Sequence, residues 1–384
     1  MKIGILTYTR EYTNLGTIMQ CYCTLKAVQR VYPDAQVELI DYARTSPSRR
    51  PYLSHVTVRS VVKDYVRMRK YRRFFGEQLN FSSNTLNSAD SSKAWDFIRR
   101  QEYDLIYVGS DTVLELKNVP EDRLTPYWLD DTVGGARILA SASSHNVSLE
   151  MLSKRQTKLM ERAVNGFSLL GVRDEATFRL LSHFVSGSDE RLRRVPDPTF
   201  VHEIDYSHVE RYLEKRKLSK GAPMVCLHLV RNSTWASALA NSFRRAGYIV
   251  ASLRPASYAD VILTDMSPFE QLGIYKYFSL VITHRFHDTI FSLKNLTPVM
   301  AFPEHVSDVT PHGESKIATL LKAFGAHKTS YVPNNTALSA ESLFERYGSA
   351  MSYFANNRDL ISTRLQEQRE EYMAFMERSR AVVQ

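Results

Sequence analysis

Short apolar runs alternate with stretches of helical period along nearly the whole chain, which predicts strands separated by helices. Lys2–Thr7 reads as a buried strand, Asn14–Val31 as a helix with an asparagine at its start, and Gln36–Asp41 as a second strand. Val58, Val61, Val62, Tyr65, Met68, Phe75 and Leu79 then recur at helical spacing, so an amphipathic helix with a cationic outer face is expected. A helix near Ser91–Arg100, strands at Leu105–Gly109 and Arg137–Ser141, a helix over Leu149–Val164 and a strand at Phe167–Val172 follow. Pro196-Asp197-Pro198 enforces an extended turn, because proline restricts both its own φ and the residue before it. The polar, lysine-rich stretch Tyr206–Ala222 reads as a connection between domains.

The second half repeats the pattern. Met224–Val230, Tyr248–Leu253, Ser279–Thr283 and Pro298–Phe302 read as strands. Ser233–Ala246, Ser267–Tyr277, Phe286–Lys294 and Glu314–Phe324 read as helices, and Asn357–Gln384 as a long charged one. Such alternation packs helices on parallel sheets. The expected fold class is therefore α/β, with Rossmann-like domains over residues 1–205 and 222–355, a cleft between them, and a C-terminal helix over 356–384. Two domains agree with 384 residues at about 100–200 per domain.

Composition removes several classes. With 43% hydrophobic and 24% charged residues, wholesale disorder is excluded. No apolar run approaches the ~18 residues of a spanning helix, and Ile3–Leu6 is far too short for a signal-peptide core. Cys21, Cys23 and Cys226 cannot make a disulfide framework, and Cys21-x-Cys23 lacks a second pair of zinc ligands. A soluble, reduced, cytoplasmic protein is expected. The net charge of +9 is local: ten basic residues between Arg44 and Arg73 face one acid, Asp64, and the rest of the chain is balanced. No zinc-finger or RNP-like pattern accompanies Tyr65 and Tyr71 in that window, so nucleic acid is not the expected partner.

Ligands of open α/β sheets sit beyond the carboxyl ends of the strands, which narrows the search for chemistry. After the first strand, Gly16 near the helix start either admits a ligand to free N–H groups or is a turn glycine. Gly109-Ser110-Asp111 puts an acid above a central strand, as a ligand contact or a helix cap. Arg173-Asp174-Glu175 follows another strand, where capping and a surface arginine would also explain it. His284-Arg285-Phe286-His287-Asp288 is the densest titratable cluster at a strand-to-helix junction. Arginine there offers a planar fork for carboxylate or phosphate, and histidine an acid or base near neutral pH. Ser315 and Lys316 open a further helix, as an anion seat or as a cap. Walker A, G-x-G-x-x-G and H-E-x-x-H patterns are absent, and no carboxylate cluster has metal spacing, so neither a metal nor a nucleotide cofactor is expected. The residues alone point to an α/β enzyme for an anionic substrate, using His287 and Arg285.

At these same positions the chain resembles the polysaccharide pyruvyl transferase family. Asn14-Leu15-Gly16-Thr17-Ile18-Met19-Gln20 is similar to its N-x-G-x-x-x-Q turn, and Val37–Tyr42 to its second strand. Tyr103-Asp104 through Gly109-Ser110-Asp111 is similar to its D-x-x-x-x-G-S-D segment, Val172-Arg173-Asp174-Glu175 to its V-R-D/E, and Asp197-Pro198-Thr199 to its D-P-T. Ile282–His287 is similar to its R-x-H segment before a helix, and Pro298-Val299 follows. The chain departs from the family pattern at Asp288, where glycine commonly stands, and at Thr112 and Leu114, where glutamine and tryptophan are frequent.

The resemblance implies a GT-B-like fold and transfer of a pyruvyl group from phosphoenolpyruvate to two sugar hydroxyls as a cyclic ketal. It maps Arg285, and less closely Arg173, onto phosphoenolpyruvate binding and His287 onto acid/base catalysis. Ser315 and Lys316 join the donor side, while Asn14, Gly16, Ser110 and Asp111 join the acceptor side. The implied partners are phosphoenolpyruvate as donor substrate and a sugar acceptor of the kind carried on a lipid, with Arg44–Arg73 facing an anionic inner membrane surface, an acceptor pyrophosphate or only solvent. A nucleotide-sugar glycosyltransferase of the same fold is the alternative, although Glu304 is followed eight residues later by His312, where that class often has E-x7-E.

Overall fold

A computed structural model describes residues 1–9, 14–44, 58–116, 119–187, 189–218, 223–229, 234–303, 309, 315–333 and 339–383. The chain divides into two compact units. The first comprises Met1–Ser48, Phe75–His202 and Glu367–Gln384, the second Arg49–Phe74 and Glu203–Gln366.

In chain order the elements up to residue 194 are β1 (Lys2–Leu6), α1 (Leu15–Val31), β2 (Gln36–Ala43), α2 (Val58–Gln78), β3 (Phe81–Asn87), α3 (Ser91–Arg99), β4 (Leu105–Val108), β5 (Ala136–Ala142), α4 (Lys154–Asn165), β6 (Leu169–Val172), α5 (Glu175–Ser182) and β7 (Leu192–Arg194). Their strands form a seven-stranded parallel sheet in the order β3-β2-β1-β4-β5-β6-β7. The order reverses between β1 and β4, so this pair is the switch point at which such sheets take ligands. One face carries a core that includes Ile40, Ile98, Ile106, Trp128, Leu139, Met160 and Phe167.

The remaining elements are α6 (Ser207–Arg216), β8 (Met224–His228), α7 (Thr234–Arg245), β9 (Ile249–Ser252), β10 (Val261–Ile262), α8 (Pro268–Gly273), β11 (Phe278–Thr283), α9 (Phe286–Lys294), β12 (Val299–Ala301), α10 (Lys316–Ala323), α11 (His327–Ser330), α12 (Ala340–Asn356) and α13 (Arg358–Val383). Here the parallel order is β10-β9-β8-β11-β12, with its reversal between β8 and β11. The α/β alternation read from the sequence is thus present in both units.

Several local expectations change. The division departs from a cut at residue 205, since Arg49–Phe74 belongs to the second unit and the end of α13 to the first. Gly171 in β6 leaves the space that the Phe375 ring of α13 fills, and Tyr107 of β4 hydrogen-bonds Ser379. The stretch expected to be a connection is the packed helix α6 through residue 216, burying Val209, Tyr212 and Leu213, while 219–222 lie outside the described residues. Residues 311–314 and the Glu304 of the E-x7-E comparison also lie outside them, as do Arg49 and Arg50.

The largest correction concerns α2. Val61, Val62 and Tyr65, expected inside, are 45%, 56% and 68% exposed, while Asp64 and Arg67 are buried. A straight helix has a single roll, and Tyr71, Phe74 and Phe75 set it by going inside. Aromatic rings bury more area than valines, so the valine stripe, offset around the helix, is turned outward.

Candidate active site

The carboxyl edge of the second sheet gathers the titratable cluster. His228 ends β8 and stands beside Thr283, the last residue of β11, in the parallel register. Arg254 follows β9, while His284 and Arg285 follow β11 and lead into α9, whose N-cap is Arg285. Asp288, in the first turn of α9, turns back to the sheet. Its carboxylate accepts from the Tyr275 and Thr283 hydroxyls, both at 2.8 Å, and lies 2.6 Å from the His228 Nδ1. The Thr283 hydroxyl also accepts the Arg285 N–H at 3.0 Å, which fixes the chain at the junction.

Charge in this cluster is decided by burial. Burial pushes His228 below its ordinary value, the Asp288 carboxylate opposes this, and Arg285 and Arg254 add to the drop. His284 is pushed down to about 3 by burial first and then by His228 and Arg285. Burial alone would raise Asp288, yet His228, Arg285 and the Thr283 hydroxyl hold it well below the usual carboxylate range. A proton on His228 would favour the carboxylate, but burial beside two guanidinium groups drives that proton off. The acid, with two hydroxyl donors, is the member that keeps its ordinary charge. The site therefore presents two guanidinium cations, one carboxylate and two neutral imidazoles near pH 7.

His287 is half-buried beside the rings of Phe286 and Phe291, at 5.5 and 6.1 Å between centroids. Lys316, at the start of α10, holds its Nζ 5.8 Å from the Phe286 ring centroid and so borders the N-terminus of α9. The Ser315 hydroxyl accepts the Ala318 N–H at 3.1 Å and is buried, which is a capping role.

At the carboxyl edge of the first sheet, the residues expected on the acceptor side form one network. Gln20 of α1 donates to the Thr7 hydroxyl at 3.0 Å and accepts from the Ser110 N–H at 3.1 Å and hydroxyl at 2.5 Å. Asp111 accepts from Thr17 at 2.9 Å, from the Thr112 N–H at 2.8 Å and from Arg173 at 3.1 Å. Gly109 takes φ +116°, and a Cβ there would lie 2.4 Å from the Ala140 carbonyl oxygen, so glycine is required. Asn14 is the N-cap of α1 without a side-chain cap bond, and Gly16 is buried within the first turn. Arg173 also binds Asp197 at 3.0 Å, and its side chain is 2% exposed. Burial opposes its charge, but Asp111, Asp197 and Asp174 raise it above the ordinary value. Arg173 thus belongs to the first unit, clamped between two carboxylates, and is not brought to the Arg285 cluster by its own unit's fold.

His228, Arg254 and Tyr275 are not among the residues expected from the sequence, where Asp288 appears in the titratable cluster and as a departure from the family pattern but without a role. The available signal was topological: His228 ends the strand beside β11, and Arg254 follows the next strand along.

A model of the polysaccharide pyruvyl transferase family matches residues 14–305. The chain belongs to this family. The matched span runs from the α1 N-cap past the α9 cluster and ends before Ser315. No curated protein sequence matches the chain. Among solved structures, the UDP-GlcNAc 2-epimerase of Methanocaldococcus jannaschii is similar with a TM-score of 0.54 at 11% identity, over 93% of both chains. Anabaena HepE, solved in complex with UDP and glucose, has a TM-score of 0.53 at 10% identity, over 99% of this chain and 98% of that one. A glycosyltransferase of Rickettsia africae has 0.52 at 11% identity, over 99% and 96%. At such identities the likeness is one of fold, that of GT-B glycosyltransferases and epimerases. No helix among the described residues is long and apolar enough to cross a membrane.

Proposed function

We propose that this pyruvyl transferase moves the pyruvyl group of phosphoenolpyruvate onto two hydroxyls of a sugar in a polysaccharide precursor, forming a cyclic ketal. The observation that carries the donor is the cluster at the β8–β11 switch point, where Arg254, Arg285 and the α9 N-terminus stand with three histidines. Phosphoenolpyruvate is a small trianion whose carboxylate and phosphate both suit guanidinium forks and helix N–H groups.

In the proposed reaction a proton reaches C3 and makes C2 electrophilic. One sugar hydroxyl adds to C2, the bond from C2 to the phosphate oxygen breaks, and the second hydroxyl closes the ketal. The two hydroxyl protons balance: one is matched by the new methyl hydrogen and the other by the proton on the departing phosphate. His287 serves as the acid/base, since an imidazole ring has one nitrogen that can donate a proton and one that can accept it. Arg285 anchors the donor and stabilises the leaving phosphate, with Lys316 beside it. The hydrogen-bonded edge around Ser110 and Asp111 is the acceptor side, and a lipid-linked acceptor at the cytoplasmic membrane face is consistent with the family.

The test is mass spectrometry of a candidate acceptor incubated with phosphoenolpyruvate, wild type beside His287→Ala. A pyruvate-sized mass gain in the wild type alone supports the assignment. Equal gain in both removes His287 from the mechanism, and no consumption of phosphoenolpyruvate with any saccharide acceptor removes the reaction. The fold likeness to HepE in complex with UDP and glucose favours a nucleotide-sugar glycosyltransferase as second reading. Thermal stabilisation by UDP-sugars and not by phosphoenolpyruvate would select it.

A further inference from the structure

Helix α2 presents an outward face of exposed side chains. Three of its cations are used inside the second unit. Lys63 donates to the Ile262 carbonyl at 2.7 Å, Lys70 pairs with Glu270 at 2.6 Å, and buried Arg67 stacks over Tyr71 at 5.0 Å. Phe74 packs on Phe269, and Tyr71 donates to Gln271 at 3.1 Å, so the roll of the helix is fixed. A stripe of exposed side chains runs along the other side: Val61, Val62 and Tyr65 in the first half, then Arg69, Arg72 and Arg73 in the second. Successive α-helical residues advance by about 100°, which places these six within one third of the circumference. Among the described residues, Val61, Val62 and Tyr65 are three of the seven large hydrophobic side chains that are exposed.

An apolar patch rimmed by cations on one helical stripe matches an anionic lipid surface. The valines and the tyrosine ring enter the headgroup boundary, and the guanidinium groups meet lipid phosphates. We infer that the outer stripe of α2 docks this chain on an anionic membrane surface. The charge of Arg69, Arg72 and Arg73 favours lipid over a second copy of the chain, because an isologous dimer through this stripe would set the guanidinium groups against one another or against the apolar half, with no acid of the stripe to meet them. The cationic residues engaged differ from a simple reading of the basic window, since Lys63, Arg67 and Lys70 serve the fold.

The test is co-sedimentation of the full chain with vesicles of phosphatidylcholine alone and of phosphatidylcholine with one quarter phosphatidylglycerol, in the absence of donor and acceptor. Wild type should partition at least about tenfold better onto the anionic vesicles. A Val61→Ser, Val62→Ser, Tyr65→Ser variant and an Arg69→Gln, Arg72→Gln variant should each lose most of that preference. Their melting temperatures should match wild type, because these side chains are exposed. Equal partition onto both vesicle types, or anionic binding unchanged in both variants, overturns the inference. A dimer in sedimentation velocity that the serine variant dissociates, without vesicle binding, assigns the stripe to a second copy instead. Since no substrate is present, failure here leaves pyruvyl transfer standing, and failure of that reaction leaves lipid binding standing.

Discussion

Replacing Arg173 with methionine separates a clamp from a substrate contact. The guanidinium is 2% exposed, with Asp111 at 3.1 Å and Asp197 at 3.0 Å, whose side chains are 12% and 1% exposed. Each pair is worth on the order of 4 kcal/mol at an effective dielectric of about 20, before the cost of taking the charges from water. The substitution leaves that desolvation in place for both acids and removes the cation. Breaking a buried pair in this way costs about 3–5 kcal/mol. For a unit of about 190 residues, that lowers the melting temperature by on the order of 10 °C.

Scanning calorimetry of Arg173→Met measures the loss. Adding Asp111→Asn and Asp197→Asn should recover part of it, because the orphaned negative charges are then gone while the acceptor oxygens for Thr17 and Thr199 remain. Arg173→Lys should fall between, since one ammonium cannot span both carboxylates as the fork does. An unchanged melting temperature together with lost turnover would refute the clamp and return Arg173 to the substrate.

Two further outcomes follow from the second unit. Asp288→Asn should cost about 3 kcal/mol in denaturant titration, because a buried ionised acceptor of two hydroxyl groups and a histidine contact becomes a neutral amide with donors facing donors; a loss under about 1 kcal/mol would mean that the carboxylate is not ionised there. His284 binds a proton at its ordinary 6.5 when unfolded but only at about 3 when folded, so the unfolded chain takes up the extra proton and stability falls as pH drops. The slope is up to about 1.4 kcal/mol per pH unit below 6.5, is absent above it, and should flatten in His284→Gln. A midpoint independent of pH between about 7 and 5 contradicts a neutral buried His284.

Where one apolar side was buried against a sheet, the chain's own pattern located the element. Leu105–Val108, Phe278–Thr283 and α9 lie within a residue or two of their expected spans. The two edge strands of the first sheet escaped that pattern. Phe81–Asn87 is largely polar and only partly buried because β3 pairs on one side alone, and Leu192–Arg194 is three residues long with two exposed arginines. The roll of α2 was illegible for another reason: two apolar stripes compete on it, and only the tertiary contacts of Tyr71 and Phe74 decide which goes inside. The strand-end motifs were legible because a polar group beyond a buried strand has no packing role. His228 was not, because a lone histidine closing an apolar strand carries no local mark, and its meaning comes from Asp288 sixty residues later.

The same comparison separates the proposed donor side from the proposed acceptor side. Both sheets bring polar residues to a switch point, but they balance charge differently. In the first unit Arg173 meets Asp111 and Asp197, and Gln20 is engaged by Thr7 and Ser110, so the edge is a closed network of hydrogen bonds with its cation already matched. A trianion brought there would face two carboxylates. In the second unit Arg254 and Arg285 act on His228 and His284 together, and the acid that acts on both histidines is Asp288. Burial is the larger cause that keeps those histidines neutral, and the guanidinium groups add to it, so an arriving anion offsets the added part. Donor binding would on this account raise the proton affinity of His228 and His284 by that part, while transfer to C3 stays with His287 in the proposed reaction.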